Sequence, residues 1–123
     1  MRRNKFQRRR PKAKNDVQVG SWDEDRLLRN VTELAESFGW RTYHTWRSTH
    51  STAGFPDLTM VRAGRLIFAE LKSDRVGAKA TTDQLAWLND LDECTGVEAY
   101  LWWPDDLQRI ADILSKGEKR CPS

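Results

Sequence analysis

The sequence predicts a small α/β domain in which helices flank a mixed β-sheet. Its amphipathic and strand-like segments follow the order helix, three strands, helix, strand, helix. Ala63-Gly64 joins two of the strand-like segments, and a two-residue turn of this kind is typical of an antiparallel hairpin. Helices that lie around such a hairpin and lead back to a further strand form a mixed sheet. We therefore expect an αβββαβ core followed by a C-terminal helix.

Each expected helix has a recognisable start. The first begins at the capping-box pattern Ser21-Trp22-Asp23-Glu24 and ends at Gly39. A second capping box, Thr81-Thr82-Asp83-Gln84, begins the next helix, and Pro104-Asp105-Asp106 begins the last. The apolar residues of the first helix recur at helical spacing, which makes it the clearest element of the chain: they are Leu27, Leu28, Val31, Leu34, Ala35 and Phe38.

The expected strands lie between these helices. Trp40 to Trp46 is rich in aromatic residues and threonine, and a polar loop follows it. The hairpin strands are Leu58 to Arg62 and Arg65 to Lys72, and Glu98 to Trp103 is the last strand.

Positive charge is concentrated at the N-terminus. Residues 1–20 contain eight of the 21 lysines and arginines but one of the 18 acids, so their net charge is +7 and that of the remaining chain is −4. Such a segment has too little apolar surface to offset the entropy lost on folding. We expect a disordered basic arm over 1–20, one domain over 21–117 and a tail over 118–123. A phosphate backbone is the natural partner of the arm, and a solubilising tail is the alternative.

Composition excludes several classes of protein. The longest apolar run contains five residues, which is far too short to span a membrane. Cys94 and Cys121 lack the spacing of a zinc or redox motif and are too few for a disulfide scaffold. No apolar stretch follows the basic N-terminus, so a secretory signal is not expected. We expect a cytoplasmic protein.

The hairpin turn also predicts which side chains oppose each other. If Ala63 and Gly64 form the turn, Asp57 lies directly opposite Glu70, whereas a loop with an odd number of residues would place their carboxylates on opposite faces. Like charges placed opposite each other in a sheet are destabilising. We therefore expect a cation between Asp57 and Glu70.

Several further polar side chains point toward the expected core. Alternation along the third strand places Glu70 and Lys72 on an otherwise apolar face. Helical spacing places Glu24 within the apolar stripe of the first helix and turns Gln84 inward on the second. Carboxylates and an amide without a nearby histidine or thiol favour Mg²⁺ or Mn²⁺ over zinc. Structural alternatives remain: a turn aspartate, a solvated charged stripe, and helix caps at Glu24 and Gln84.

These residues resemble a known family. Gly54-Phe55-Pro56-Asp57, followed by Glu70-Leu71-Lys72 at the end of a strand, is similar to the PD-(D/E)XK nuclease superfamily. The flanking helices and the Gly39-Trp40 pair resemble more narrowly the small stand-alone VRR-Nuc proteins of bacteriophages, over roughly residues 21–113. The resemblance implies a restriction-endonuclease-like core.

The resemblance also implies roles for individual residues. Asp57 and Glu70 would bind the metal with the backbone carbonyl of Leu71, and Glu24 would lie near it or bind it through water. Lys72 would be the catalytic lysine, and Gln84 an accessory residue of the site. The implied activity is Mg²⁺-dependent DNA endonuclease, with Mn²⁺ as a substitute, acting as a homodimer on branched DNA such as Holliday junctions. No organic cofactor and no membrane partner are expected.

Candidate DNA contacts lie outside this motif, in the arm and in two loops. Contacts of this type would bind phosphates and position the substrate without reading its sequence. The candidates are Arg8, Arg9, Arg10, Lys12, Arg47, His50, Arg75 and Lys79. Trp46 is a candidate for contact with a base. The alternatives are a sequence-specific nuclease, a single-strand nuclease, and a non-catalytic DNA-binding protein that keeps the nuclease fold.

Overall fold

The computed structural model describes residues 5–6, 22–46 and 50–116. It contains three α-helices and four β-strands in the predicted order. The helices are α1 (Glu24–Ser37), α2 (Thr82–Asp92) and α3 (Leu107–Ser115), with a short 3₁₀ turn at Pro104–Asp106 before α3. The strands are β1 (Arg41–His44), β2 (Leu58–Arg62), β3 (Arg65–Leu71) and β4 (Val97–Trp102).

The sheet has the mixed topology that the sequence predicts. Its strand order is β1-β2-β3-β4, with antiparallel pairing from β1 to β3 and parallel pairing of β3 with β4. The helix α2 forms the crossover that a parallel pair requires. The α/β class is therefore confirmed.

The β2–β3 hairpin has the predicted register. Arg62 pairs with Arg65 and Leu58 with Ala69, so the turn contains Ala63 and Gly64. Both turn residues have positive φ, +48° for Ala63 and +84° for Gly64, and this combination matches the right-handed twist of the flanking strands. Asp57 precedes Leu58 and Glu70 follows Ala69, which places the two carboxyl residues at the same end of the hairpin.

The core lies on both faces of the sheet. Leu27, Val31 and Ala35 of α1 are fully buried against one face, where α3 also packs through Ile110 and Leu114. The helix α2 covers the other face over β3 and β4, with Leu88 fully buried in a smaller cluster. The layers explain why β3 is apolar on both sides: it is buried between α2 and the α1–α3 pair.

The start of α1 differs from the prediction. Asp23, and not Ser21, is the N-cap, and its side chain accepts a hydrogen bond of 2.8 Å from the Arg26 amide. Aspartate and serine are comparable N-cap residues, so the sequence pattern does not choose between them. The predicted end is correct, because Gly39 follows the helix with a φ of +89°.

Two residues of the N-terminal arm pack on the domain. Phe6 is 4% exposed and lies in the cluster with Leu88 and Ala99. Lys5 forms an ion pair of 2.6 Å with Asp92. Disorder is therefore the wrong expectation for these two residues. The remainder of 1–20 and the tail at 118–123 lie outside the described residues.

Candidate active site

The open end of the β2–β3 hairpin brings the two predicted metal ligands together. Asp57 lies just before β2, and its Oδ2 accepts a hydrogen bond of 3.0 Å from the backbone amide of Leu71. The backbone carbonyl of Asp57 accepts a second bond, of 2.8 Å, from the amide of Thr45. Asp57 is thus held from both neighbouring strands, and its carboxylate is positioned by β3 itself.

Glu70 is the most deeply buried charged group of the site. Only 2% of the residue is exposed, and its Oε2 accepts a hydrogen bond of 2.9 Å from Gln84 Nε2. The second oxygen, Oε1, is buried and has no hydrogen-bond partner. Burial, together with the nearby Asp57 carboxylate, raises the pKa of Glu70 to about 8 although Lys72 acts in the opposite direction. A carboxylate in this position needs a further cation before it is stable in the ionised form.

Lys72 lies at the centre of the polar cluster. It is 8% exposed, and its Nζ is 3.3 Å from Glu70 Oε2 and 3.9 Å from Glu24 Oε1. The same ammonium donates a hydrogen bond of 2.8 Å to Gln84 Oε1. Burying a lysine is costly unless its charge is paired. Here the pairing fixes the ammonium group beside Glu70.

Gln84 fulfils both roles that the sequence left open. As residue N3 of α2 it completes a capping box. Its side-chain Oε1 accepts a hydrogen bond of 2.9 Å from the Thr81 backbone amide, and its backbone amide donates one of 3.1 Å to Thr81 Oγ1. The Oε1 also accepts from Lys72, while Nε2 donates to Glu70. The side-chain amide of Gln84 therefore connects the first turn of α2 to both Lys72 and Glu70.

Glu24 reaches the site from the other side of the sheet, and the expectation that it is buried is wrong. Its side chain is 53% exposed because it is the first residue of α1 and extends past the edge of the core. The start of α1 is held by Asp74, whose amide donates to the Trp22 carbonyl at 3.1 Å and whose Oδ1 accepts from the Trp22 amide at 3.0 Å. Asp74 is 7% exposed. The sequence pattern does not predict this positioning role, since it depends on a contact between distant residues.

A cavity of about 300 Å³ opens beside Asp57. Predicted site residues in its wall are Glu24, Asp57 and Leu71. The sequence pattern gives no site role to four further residues of the wall, Asp25, Leu28, His44 and Thr45. Trp46, the candidate for a base contact, also lines it. The cavity provides room for a substrate next to Asp57 and Glu24, whereas Glu70, Lys72 and Gln84 do not line it.

The predicted DNA contacts are not gathered at this cavity. Arg8, Arg9, Arg10, Lys12 and Arg47 lie outside the described residues. His50, Arg75 and Lys79 are exposed, and none of these three lines the cavity beside Asp57. Lys79 instead lines a separate groove with Phe6. A continuous basic track through the loops is therefore not part of the described structure.

The residues at the hairpin end fit a hard divalent cation. Within the described ranges, no group of three or more histidine, cysteine, aspartate or glutamate side chains is arranged to hold a metal ion. Mg²⁺ needs fewer protein side chains, because it commonly binds one or two carboxylates and completes its octahedral coordination with water and substrate phosphates. The unpartnered Oε1 of Glu70, buried beside Asp57, is an oxygen of the required kind. Asp57, Glu70 and the carbonyl of Leu71 are the residues that would hold it.

Comparison of the chain with family models, curated proteins and solved structures gives no match. The inference of a nuclease therefore depends on the motif residues and their geometry. None of the helices in the described ranges has the length and apolar character needed to cross a membrane.

Proposed function

We propose that this chain is a Mg²⁺-dependent DNA endonuclease of the PD-(D/E)XK type, similar to the VRR-Nuc proteins. The observation that carries the proposal is the buried Glu70 with its unpartnered Oε1, next to Asp57 and 3.3 Å from Lys72. A purely structural cluster has no use for two adjacent carboxyl groups, one of them with a buried and unsatisfied oxygen. A divalent cation would bind to both.

The chemistry follows from the chain's own groups. A bound Mg²⁺ would supply Lewis-acid activation of a phosphodiester and of the attacking water. Lys72 is held where its ammonium can orient that water or neutralise charge that develops on the phosphate. Gln84 fixes the direction of Lys72, and Glu24, which lines the cavity, lies 3.9 Å from the same ammonium group. The +7 arm is the part of the chain suited to hold the DNA backbone.

Branched DNA and a homodimer remain part of the proposal. Two coordinated nicks in a four-way junction require two active sites, and one chain of 123 residues contains one candidate site. A second copy would supply the other. If cleavage were absent, the +7 arm would instead favour a non-catalytic DNA-binding protein.

The deciding experiment is a cleavage assay on linear duplex, single strand, flap, splayed-arm and four-way-junction DNA, with Mg²⁺ and with EDTA. We expect Mg²⁺-dependent products, and we expect Asp57→Asn and Glu70→Gln to lose them while folding normally. Glu33→Gln is the matched control, because Glu33 is an exposed acid of α1 outside the cavity. Undiminished cleavage by either site variant would contradict the site assignment, and binding without cleavage on every substrate would favour the non-catalytic alternative.

Metal binding provides a readout that does not need activity. Because Glu70 holds a proton near neutral pH, binding of Mg²⁺ should release close to one proton. Calorimetric titration in buffers of different ionisation enthalpy measures this release. Glu70→Gln should show none, and an unchanged release would contradict the role of Glu70 as a ligand.

A further inference from the structure

Trp46 is the most exposed large apolar side chain in the part of the chain that the structure describes. Its exposed fraction is 77%, compared with 64% for Tyr43, 60% for Val76 and 42% for Val61. A single exposed apolar residue is ordinary on a protein surface. Trp46 differs from the other three because it alone lines the cavity beside Asp57.

The position of Trp46 is tied to the candidate site through the backbone. The preceding residue, Thr45, donates from its amide to the Asp57 carbonyl at 2.8 Å and from its Oγ1 to the Pro56 carbonyl at 3.0 Å. Neighbouring strands lie about 5 Å apart. Trp46 therefore directly follows a residue that is hydrogen-bonded to Asp57, and both residues line the same cavity.

The ring of Trp46 is supported without being covered. His44 contacts it edge to face, with the ring centroids 5.0 Å apart and an interplanar angle of 62°. An aromatic pair of this kind restricts the orientation of the indole. Most of the indole surface stays available to a ligand that carries its own flat aromatic face.

We propose that Trp46 stacks on an unpaired nucleobase beside the phosphodiester held at Asp57 and Glu70, an inference that rests on the proposed nuclease function. Every nucleobase has a π-face, so stacking of this type tolerates any sequence. A base inside a duplex is stacked on both sides and is not available to the indole. A base at a flap, at a junction or in a single strand is available. The preferred substrate class is therefore DNA with an unpaired base at the cleavage point.

The test measures binding, so that it does not depend on cleavage. A fluorescently labelled single-stranded oligonucleotide is titrated with wild type, Trp46→Ala, Trp46→Phe and Tyr43→Ala in EDTA, and its anisotropy is recorded. We expect Trp46→Ala to raise the Kd roughly 5- to 150-fold, the loss of one base–aromatic stack. Trp46→Phe should recover most of the affinity. Tyr43→Ala is the matched control, an exposed aromatic on β1 outside the cavity, and should bind like wild type.

A scan with a single abasic site identifies the stacked base. Moving the abasic site along the strand should produce one position that weakens wild type strongly and Trp46→Ala hardly at all. If the abasic site is equally costly in both proteins at every position, or if Trp46→Ala binds as tightly as wild type, the stacking role is wrong. Because Trp46 is exposed, circular dichroism should show that its variants fold normally.

The outcomes separate this inference from the proposed function. Metal-dependent cleavage by wild type together with unchanged binding by Trp46→Ala would overturn the inference and leave the nuclease standing. Trp46-dependent binding without cleavage would overturn the nuclease and leave a base-binding contact. A wild-type protein that binds no DNA would overturn both.

Discussion

The backbone amide of Leu71 donates a 3.0 Å hydrogen bond to Asp57 Oδ2 and thereby fixes the Asp57 carboxylate at the end of β3. The contact holds Asp57 near Glu70, whose carboxyl is buried at the same end of the hairpin. The fold thus enforces an electrostatic conflict that burial makes stronger. The conflict has measurable consequences for stability.

The first consequence is a loss of stability with rising pH in metal-free protein. The pKa of Glu70 is about 8 in the folded state and 4.5 for an ordinary glutamate. Between these values the folded state binds a proton that the unfolded state has lost, so the free energy of unfolding falls as the pH rises. The loss is absent below pH 4.5 and complete above pH 8, and its size is on the order of several kcal/mol.

Urea denaturation in EDTA across this pH range checks the sign. Glu70→Gln mimics the protonated carboxyl, so its stability should fall less steeply than that of wild type over the same interval. Glu33→Gln should keep the wild-type slope. Equal slopes for Glu70→Gln and wild type would show that Glu70 titrates normally.

The second prediction separates the two roles of Gln84. Gln84→Ala removes the hydrogen bonds to Lys72 and Glu70, whereas Thr81→Ala removes the side-chain half of the cap and leaves those bonds in place. Thr81→Ala should cost about 1 kcal/mol of stability with near-normal kcat. Gln84→Ala should lower kcat about 10- to 100-fold, as removal of an orienting hydrogen-bond partner commonly does. If both variants are less stable and both keep a normal kcat, Gln84 acts only as a helix cap.

Local signals predicted much of this arrangement. The Ala63-Gly64 turn determines the hairpin register, and the register alone places Asp57 beside Glu70. The capping box at Thr81 likewise predicts where α2 begins. Interactions between distant parts of the chain could not be read in this way. The packing of Phe6 against Leu88 and the hydrogen bond between Asp74 and Trp22 each join residues more than fifty positions apart.

The third prediction concerns the close approach of the Asp57 loop to α2. Gly54 has a φ of +93°, and a Cβ there would lie 2.7 Å from the Asp83 carbonyl carbon. Gly77 has a similar φ of +88° but no atom within 4 Å of such a Cβ. Gly77→Ala should therefore cost about 1 to 2 kcal/mol from backbone strain alone. Gly54→Ala should cost more and should also lower kcat, because the loop that leads to Asp57 must move away from Asp83.

Thermal denaturation and kcat of the two alanine variants measure this difference. Equal reductions in stability, with kcat unchanged in Gly54→Ala, would mean that the loop adapts without moving the site.

The fourth prediction concerns the packing of Phe6. Its ring is buried with Leu88 and Ala99, so Phe6→Ala should lower the free energy of unfolding by about 2 to 3 kcal/mol. Lys5→Ala is the matched control, because its ion pair with Asp92 is partly exposed and should be worth at most about 1 kcal/mol. Urea denaturation distinguishes the two. A Phe6→Ala protein as stable as wild type would show that this packing contributes nothing to folding.

The last prediction concerns the charge of the arm, and the burial of Phe6 determines how it must be tested. Deletion of residues 1–20 would remove Phe6 together with the basic residues, so weaker DNA binding could result from a destabilised domain. Replacing Arg8, Arg9, Arg10 and Lys12 with glutamine removes four positive charges and keeps Phe6 in place. On duplex DNA, the slope of log K against log salt should become shallower by about 0.9 for each phosphate that the arm no longer neutralises. Fluorescence anisotropy at several salt concentrations measures the slope, and an unchanged slope with normal stability would show that these four residues do not bind the DNA backbone.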